Sequence, residues 1–248
     1  MIVCKSTAEL DQMRLAGKIV ASVLEVLESR ISPGITTKKL DEIASKEIYA
    51  RGGRSAFLGY RGYPASICTS VNEEVVHGVP GNRVLEEGDI ISIDVGVEKD
   101  GYYGDAAITL PVGNIGRQAQ ELIDISKQAL NMAIKQCKPA NRLYDISASI
   151  QNIAEKAGYN VVREFVGHGI GQQMHEDPQI PNFGMPGTGP LLKQGMVLAL
   201  EPMVNMGVSE VVIGKDNWTV TTFDKKLSAH FEHTVAITND GPQILTQL

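Results

Sequence analysis

Apolar positions along the chain fall into two copies of one pattern. After Pro33-Gly34, Leu40, Ala44 and Ile48 recur every fourth residue and the run ends at Gly52; after Pro139-Ala140, Ile146, Ile150 and Ala154 recur in the same way and the run ends at Gly158. This spacing predicts two helices with one buried stripe each, and a glycine as the C-terminal stop. A longer helix precedes each of them. The first is predicted from about Ser6 to Arg30, opened by a capping box at Ser6 and Glu9, with Met13, Ala16, Val20, Val23 and Leu27 inward. The second is predicted from about Gln118 to Gln136, with Leu122, Ile125, Ala129 and Ala133 inward. Helix, Pro-turn, helix, then strands is the order in both halves, about 1–112 and 113–248. A shared order as well as a shared period predicts an internal duplication with a pseudo-twofold axis.

The strands repeat too. Gly88 to Asp94 reads GDIISID and Gly195 to Glu201 reads GMVLALE, so that Asp94 falls on Glu201. Apolar neighbours predict that both are buried strands closed by an acid. A buried, unpaired carboxylate is costly and must be neutralised, hydrogen-bonded or bound to a metal. Alternation from Ile90 to Val97 and from Tyr102 to Leu110 flanks Asp100-Gly101, a two-residue hairpin signal. That turn sets Asp105 diagonally across from Asp94 on the same face, whereas a slip of one residue would part them. In the second half the chain returns after a longer excursion as HFEHTVAI, His230 to Ile237, which makes Glu232 the counterpart of Asp105. Two unit charges about 4 Å apart repel by roughly 4 kcal/mol at an effective dielectric of 20. Four converging carboxylates therefore either share protons or hold cations. Two divalent ions would balance them, with carboxylates bridging ions about 3.5–4 Å apart.

Three histidines add polar chemistry. His168 lies among glycines in EFVGHGIG, where close backbone approach is allowed. His175 follows in MHEDP and His77 sits in VVHGVPG. Together they offer one metal ligand and two hydrogen-bonding groups. His230 and His233 flank Glu232 and are read as structural, on the face opposite to or offset from Glu232's partners, or at the strand edge.

Composition narrows the class. The 248 residues can bury a substantial core as one domain, and 43% hydrophobic with 21% charged residues is ordinary for a soluble globular protein. A net charge of −6 and the lack of a basic block argue against a nucleic-acid groove. No apolar run has membrane-spanning length and the N-terminus lacks a signal-peptide pattern. Cys4, Cys68 and Cys137 are odd in number and lack CxxC spacing, which reads as reduced thiols in a cytoplasm.

The stretches GYRGYPASICTSVNEEVVHGVP, GDIISIDVGVEKDGYYGDAAIT, FVGHGIGQQMHEDP, GMVLALEPMV and HFEHTVAIT resemble methionine aminopeptidases of the short bacterial type I kind. The resemblance covers nearly the whole chain. It implies an α+β pita-bread fold: duplicated halves, a curved antiparallel sheet, helices on its outer face and the site in the concave face. It implies two divalent ions (Co, Mn, Fe or Zn), with Asp94 on one, His168 and Glu201 on the other, and Asp105 and Glu232 bridging. It implies removal of the initiator methionine from nascent chains when the second residue is small, by a metal-bridged hydroxide. Glu201 would then take the proton, and His77 and His175 would contact the scissile bond. The methionine pocket falls on Phe57, Tyr60, Tyr63, Cys68, Met174 and Trp218, alongside His77 and His175. Met174 and Phe57 depart from the family's usual residues, as does Pro139-Ala140, where Pro-Gly is usual. The activity further implies nascent N-termini as partners, a transient encounter with the ribosome, a cytoplasmic setting and a monomer.

Two other readings compete. Proline-directed peptidases share the ligands but carry a large N-terminal domain that these 248 residues lack. Non-catalytic binding modules on the same fold lose ligands, whereas all five candidates are present here.

Overall fold

The computed structural model describes all 248 residues. Four helices form where the apolar stripes predict them: α1 (Thr7–Glu28), α2 (Thr37–Ala50), α3 (Arg117–Gln136) and α4 (Leu143–Lys156). The Ser6–Glu9 capping box forms, with the Ser6 N–H donating to Glu9 Oε2 at 2.8 Å and the Glu9 N–H to Ser6 Oγ at 3.4 Å. Two orphan N–H donors at the helix start are thereby satisfied. Met13, Val20 and Leu27 along α1 have no exposed surface.

Each half lays its helices on one face of an antiparallel sheet. In the first half the Ile90–Lys99 strand pairs with Tyr102–Pro111 along one edge and with Cys68–Val71 and Arg54–Ser55 along the other. In the second half the order is Gly241–Ile244, His233–Thr238, Val197–Leu200, Gly167–Gly169, Glu176–Ile180. The two duplicated strands therefore hold equivalent central positions. One apolar cluster joins α1 and α2 to Ile91, Ile93, Val95 and Val97. Another joins α3 and α4 to Leu198, Leu200, Val235 and Ile237. Side chains of the opposite parity, Asp94 among them, are left facing away from the helices.

The hairpin register is as expected. Asp100 and Gly101 take φ of 51° and 85°, the two left-handed residues of a type I′ turn. Gly96 then pairs with Asp105 and Asp94 with Ala107, so Asp94 and Asp105 are diagonal neighbours on one face. One detail differs from the expectation that an acid closes each strand. Asp94 lies mid-strand and its strand runs on to Lys99, whereas Glu201 follows the end of Val197–Leu200. The excursion that returns the chain to Glu232 contains four short strands of its own, beginning with Met203–Asn205.

Candidate metal centre

Backbone hydrogen bonds between the two sheets bring the four acids together. Glu232 and Ala107 exchange N–H to C=O bonds of 2.8 and 3.3 Å, and the Asp105 N–H donates to Thr234 Oγ1 at 3.0 Å. Asp105 and Glu232 are thus set beside each other from opposite halves. Both are buried, at 3% and 2% exposure. His168 is presented from the strand Gly167–Gly169, whose register shifts by a bulge between His168 and Gly169. Such a bulge re-aims a side chain. The flanking glycines have a packing reason: a Cβ at Gly169 would stand 2.1 Å from the Asp177 carbonyl oxygen, and one at Gly167 2.5 Å from that of Ala199.

The His168 Nδ1–H donates to the Gly169 carbonyl at 2.8 Å, which leaves the Nε2 lone pair facing the acids. Nε2 lies 3.7 Å from Glu201 Oε1 and 3.9 Å from Asp105 Oδ2. These spacings are too long for hydrogen bonds. Two atoms each bonded at about 2.1 Å to a shared ion can stand up to about 4.2 Å apart, so an ion fits between them. Asp105, His168 and Glu232 each contribute a ligand atom to one group within 4.8 Å of one another. Asp94 Oδ1, Asp105 Oδ1 and Glu232 Oε1 are enclosed without any hydrogen-bond partner. Orphaned carboxylate oxygens of this kind are neutralised by protons or by cations. The donor set of carboxylates with one imidazole suits first-row divalent metals.

Electrostatics of the metal-free cluster agree. Burial, then the charges of Glu232 and Asp94, pushes Asp105 well above the carboxylate range. Burial with Asp105 and Asp94 does the same to Glu201, and burial with Glu201 and Asp94 to Glu232. Burial raises Asp94 to about 7 against a hydrogen bond from Asp105. The imidazoles move the other way. Burial, then His175, lowers His77 to about 4 and His168 to about 3; burial, then Arg61, lowers His175. They are neutral imidazoles near pH 7.

Every site residue expected from the sequence lines one cleft of about 130 Å³, and Arg61 joins them. Phe57, Tyr63, Cys68 and Met174 form a buried apolar wall with Tyr60 and Trp218 packed against it. The Tyr63 ring meets the Trp218 ring edge-on at 5.1 Å, and the Tyr63 hydroxyl donates to the Gly78 and Ile67 carbonyls at 2.9 and 3.1 Å. A Cβ at Gly96 would stand 2.5 Å from the Phe57 ring, so glycine there lets the aromatic wall close on the strand that carries Asp94. His77 has a φ of 59°, a strained conformation for a side chain of its size. The Tyr60 hydroxyl and His175 Nδ1 are 2.9 Å apart. With the phenol donating, the His175 Nε2–H is free for the cleft. Glu176, next along the chain, pairs with the buried Lys5 at 2.5 Å, tying this segment to the N-terminus.

His230 departs from its reading as a structural residue offset from Glu232's partners. Its Nε2 lies 3.9 Å from Glu201 Oε2 and 3.9 Å from Glu232 Oε2. The signal was available, because residues i and i+2 of an extended chain share a face. His233 does turn away, with Nδ1 2.9 Å from Thr246 Oγ1. Arg61 carries no local sequence signal.

Comparisons with known proteins agree with this geometry. The model of metallopeptidase family M24 matches residues 11–239. Methionine aminopeptidase 1 of Bacillus subtilis is 54% identical over 248 residues, all of both chains. The methionine aminopeptidase of Clostridium perfringens is 52% identical over 99% of each. The crystal structure of methionine aminopeptidase from Thermotoga maritima superposes with a TM-score of 0.99 at 46% identity, covering 100% of both chains. Prolidase from Pyrococcus furiosus, with a TM-score of 0.81, 22% identity and cover of 99% of this chain and 66% of that one, shares the fold alone. No helix is long and apolar enough to cross a membrane. With its pita-bread architecture, its convergent acids and these relatives, the chain belongs to metallopeptidase family M24, on its methionine aminopeptidase branch.

Proposed function

We propose that this chain removes the N-terminal methionine from nascent proteins whose second residue is small, using two divalent metal ions. The observation that carries the reading is the convergence of Asp94, Asp105, His168, Glu201 and Glu232, with orphaned oxygens, at the end of an apolar pocket. Asp94 would hold one ion, His168 and Glu201 the other, and Asp105 and Glu232 would bridge. Two ions held there would make water nucleophilic near neutral pH and anchor the substrate amine. An anchored amine explains exopeptidase action.

The protein's own residues would do the rest. Glu201 takes the proton of the attacking water. Its side chain is 14% exposed against 5% for Asp105 and 2% for Glu232, which favours it as the acid that passes the proton on. His175 and His77, as neutral donors, bond the carbonyl oxygen and the amide of the scissile bond as charge develops. The wall of Phe57, Tyr63, Cys68, Met174 and Trp218 suits an unbranched thioether. A single catalytic unit, two ions of Co, Mn, Fe or Zn, a monomer in the cytoplasm and brief contact with the ribosome complete the proposal.

Metal content, together with methionine release from Met-Ala-Ser and cleavage of Ala-Pro-Ala, tests it. Two ions per chain and release of methionine are expected. Preference for the proline peptide would overturn the substrate, and saturation at one ion would overturn the dinuclear site.

A further inference from the structure

One side chain outside the assigned set aims an unpartnered polar atom at the acids. His230 is 2% exposed and its Nε2 has no hydrogen-bond partner. An enclosed donor without a partner costs about 1–3 kcal/mol, so such an atom is expected to have a use. The residue is rigidly held. The Thr109 hydroxyl donates to the His230 carbonyl at 2.7 Å and accepts from the His230 N–H at 2.9 Å, and its Oγ1 also meets Ser92 Oγ at 2.9 Å. A main chain fixed on both sides leaves the imidazole little freedom to seek another partner.

Glu201 stands between two imidazoles. Its Oε1 faces His168 Nε2 at 3.7 Å and its Oε2 faces His230 Nε2 at 3.9 Å. The two Nε2 atoms have different surroundings. The Gly169 carbonyl takes the His168 Nδ1 hydrogen, so a lone pair faces the acids, as a metal ligand requires. His230 Nε2 instead lies at the same distance, 3.9 Å, from Glu201 Oε2 and Glu232 Oε2, which stand on separate segments. A lone pair pointed at two anionic oxygens is repelled, whereas an N–H pointed at them is attracted. A closure of about 1 Å by either carboxylate brings it within the 2.7–3.2 Å hydrogen-bonding range.

We propose that His230 is a positioning residue of the hydrolytic site, its Nε2–H orienting the Glu201 and Glu232 carboxylates on their ions without ligating a metal itself. The inference rests on the dinuclear reading above. Hydrogen bonds to ligating carboxylates set their direction and basicity, and their loss typically weakens metal binding.

Metal-free wild type, His230→Gln and His230→Ala are titrated with Co(II), following binding heat and the visible absorption bands. Glutamine carries an N–H donor to nearly the same point as imidazole Nε2, and alanine carries none. The alanine variant is expected to bind Co(II) about 10- to 100-fold more weakly with shifted bands, and the glutamine variant to match wild type. Alanine binding as tightly as wild type, or glutamine binding as weakly as alanine, overturns the proposal. X-ray absorption that shows an imidazole lost from the Co(II) shell in His230→Ala overturns it too, since His230 would then be a ligand. If the alanine variant does not fold, glutamine decides: wild-type affinity supports the role and loss of affinity refutes it. A wild type that takes up no Co(II) removes the dinuclear reading and this inference together. Two ions in wild type with an unaffected alanine variant removes this inference alone.

Discussion

Thr234 holds Asp105 by both of its main-chain polar groups: the threonine hydroxyl accepts from the Asp105 N–H at 3.0 Å and donates to the Asp105 carbonyl at 2.8 Å. All of these groups are buried, and the clamp crosses from the second half to the first. Thr234→Val keeps the shape and removes the hydroxyl, stranding an N–H and a C=O. A loss of about 1–3 kcal/mol in denaturant unfolding is expected, along with weaker metal uptake. An unchanged midpoint would mean that the clamp contributes nothing.

Asp105→Ala and Glu232→Ala are expected to abolish turnover while leaving the fold in place. In the presence of a chelator each is expected to melt higher than wild type, because one of several mutually repelling buried acids is gone. Added Mn(II) should stabilise wild type much more than either variant. Near-normal methionine release by either would contradict the bridging roles.

The pH dependence of the metal-free protein has a definite sign. Asp94 is raised to about 7, and Asp105, Glu201 and Glu232 are raised well above their ordinary values, chiefly by burial. Raised acids contribute stability below their unfolded values of about 4 and lose it as pH rises through the folded values. Burial lowers His77 and His233 to about 4, and His168 and His230 to about 3. Lowered histidines contribute stability above about 6.5 and lose it as pH falls toward the folded values. The two trends oppose each other between about pH 4 and 6.5. Above about 6.5 only the acids still titrate, so chelated protein should lose stability between about pH 6.5 and 8. Saturating Mn(II) should remove that slope. A flat chelated profile over the window would sink the idea.

Ala140 takes a φ of 73° at the place where the first half has Gly34 at 95°. The left-handed conformation costs a non-glycine residue about 1–2 kcal/mol, partly offset by the greater freedom of glycine in the unfolded chain. Ala140→Gly is therefore expected to raise stability by about 1 kcal/mol. A thermal melt that moves down would show that the turn favours alanine.

Much of this architecture is legible in the residues themselves. The i, i+4 stripes located all four helices, because each buries one face against a sheet. Asp100-Gly101 predicted both the turn and the diagonal placement of Asp105, because a type I′ turn fixes register. The four acids were recognisable as pairs through the duplicated strand. His230 was assigned to the wrong surroundings, although it shares parity with Glu232. Strand pairing also lapses at Phe231 and Glu232, where the Phe231 N–H donates to the Pro202 carbonyl at 3.3 Å, a separate feature that no local pattern announces. The inter-sheet bonds from Ala107 and Asp105 to Glu232 and Thr234 were equally hidden, because they join residues more than a hundred positions apart.

The two-residue turn at Asp100-Gly101 makes catalysis depend on counting. Add one amino acid to either arm between Gly96 and Asp105 and, unless a bulge absorbs it, Asp105 swings through to the helix side of its sheet. Growth of this hairpin by even steps could be harmless; growth by an odd step would disarm the enzyme without touching any residue that meets the substrate.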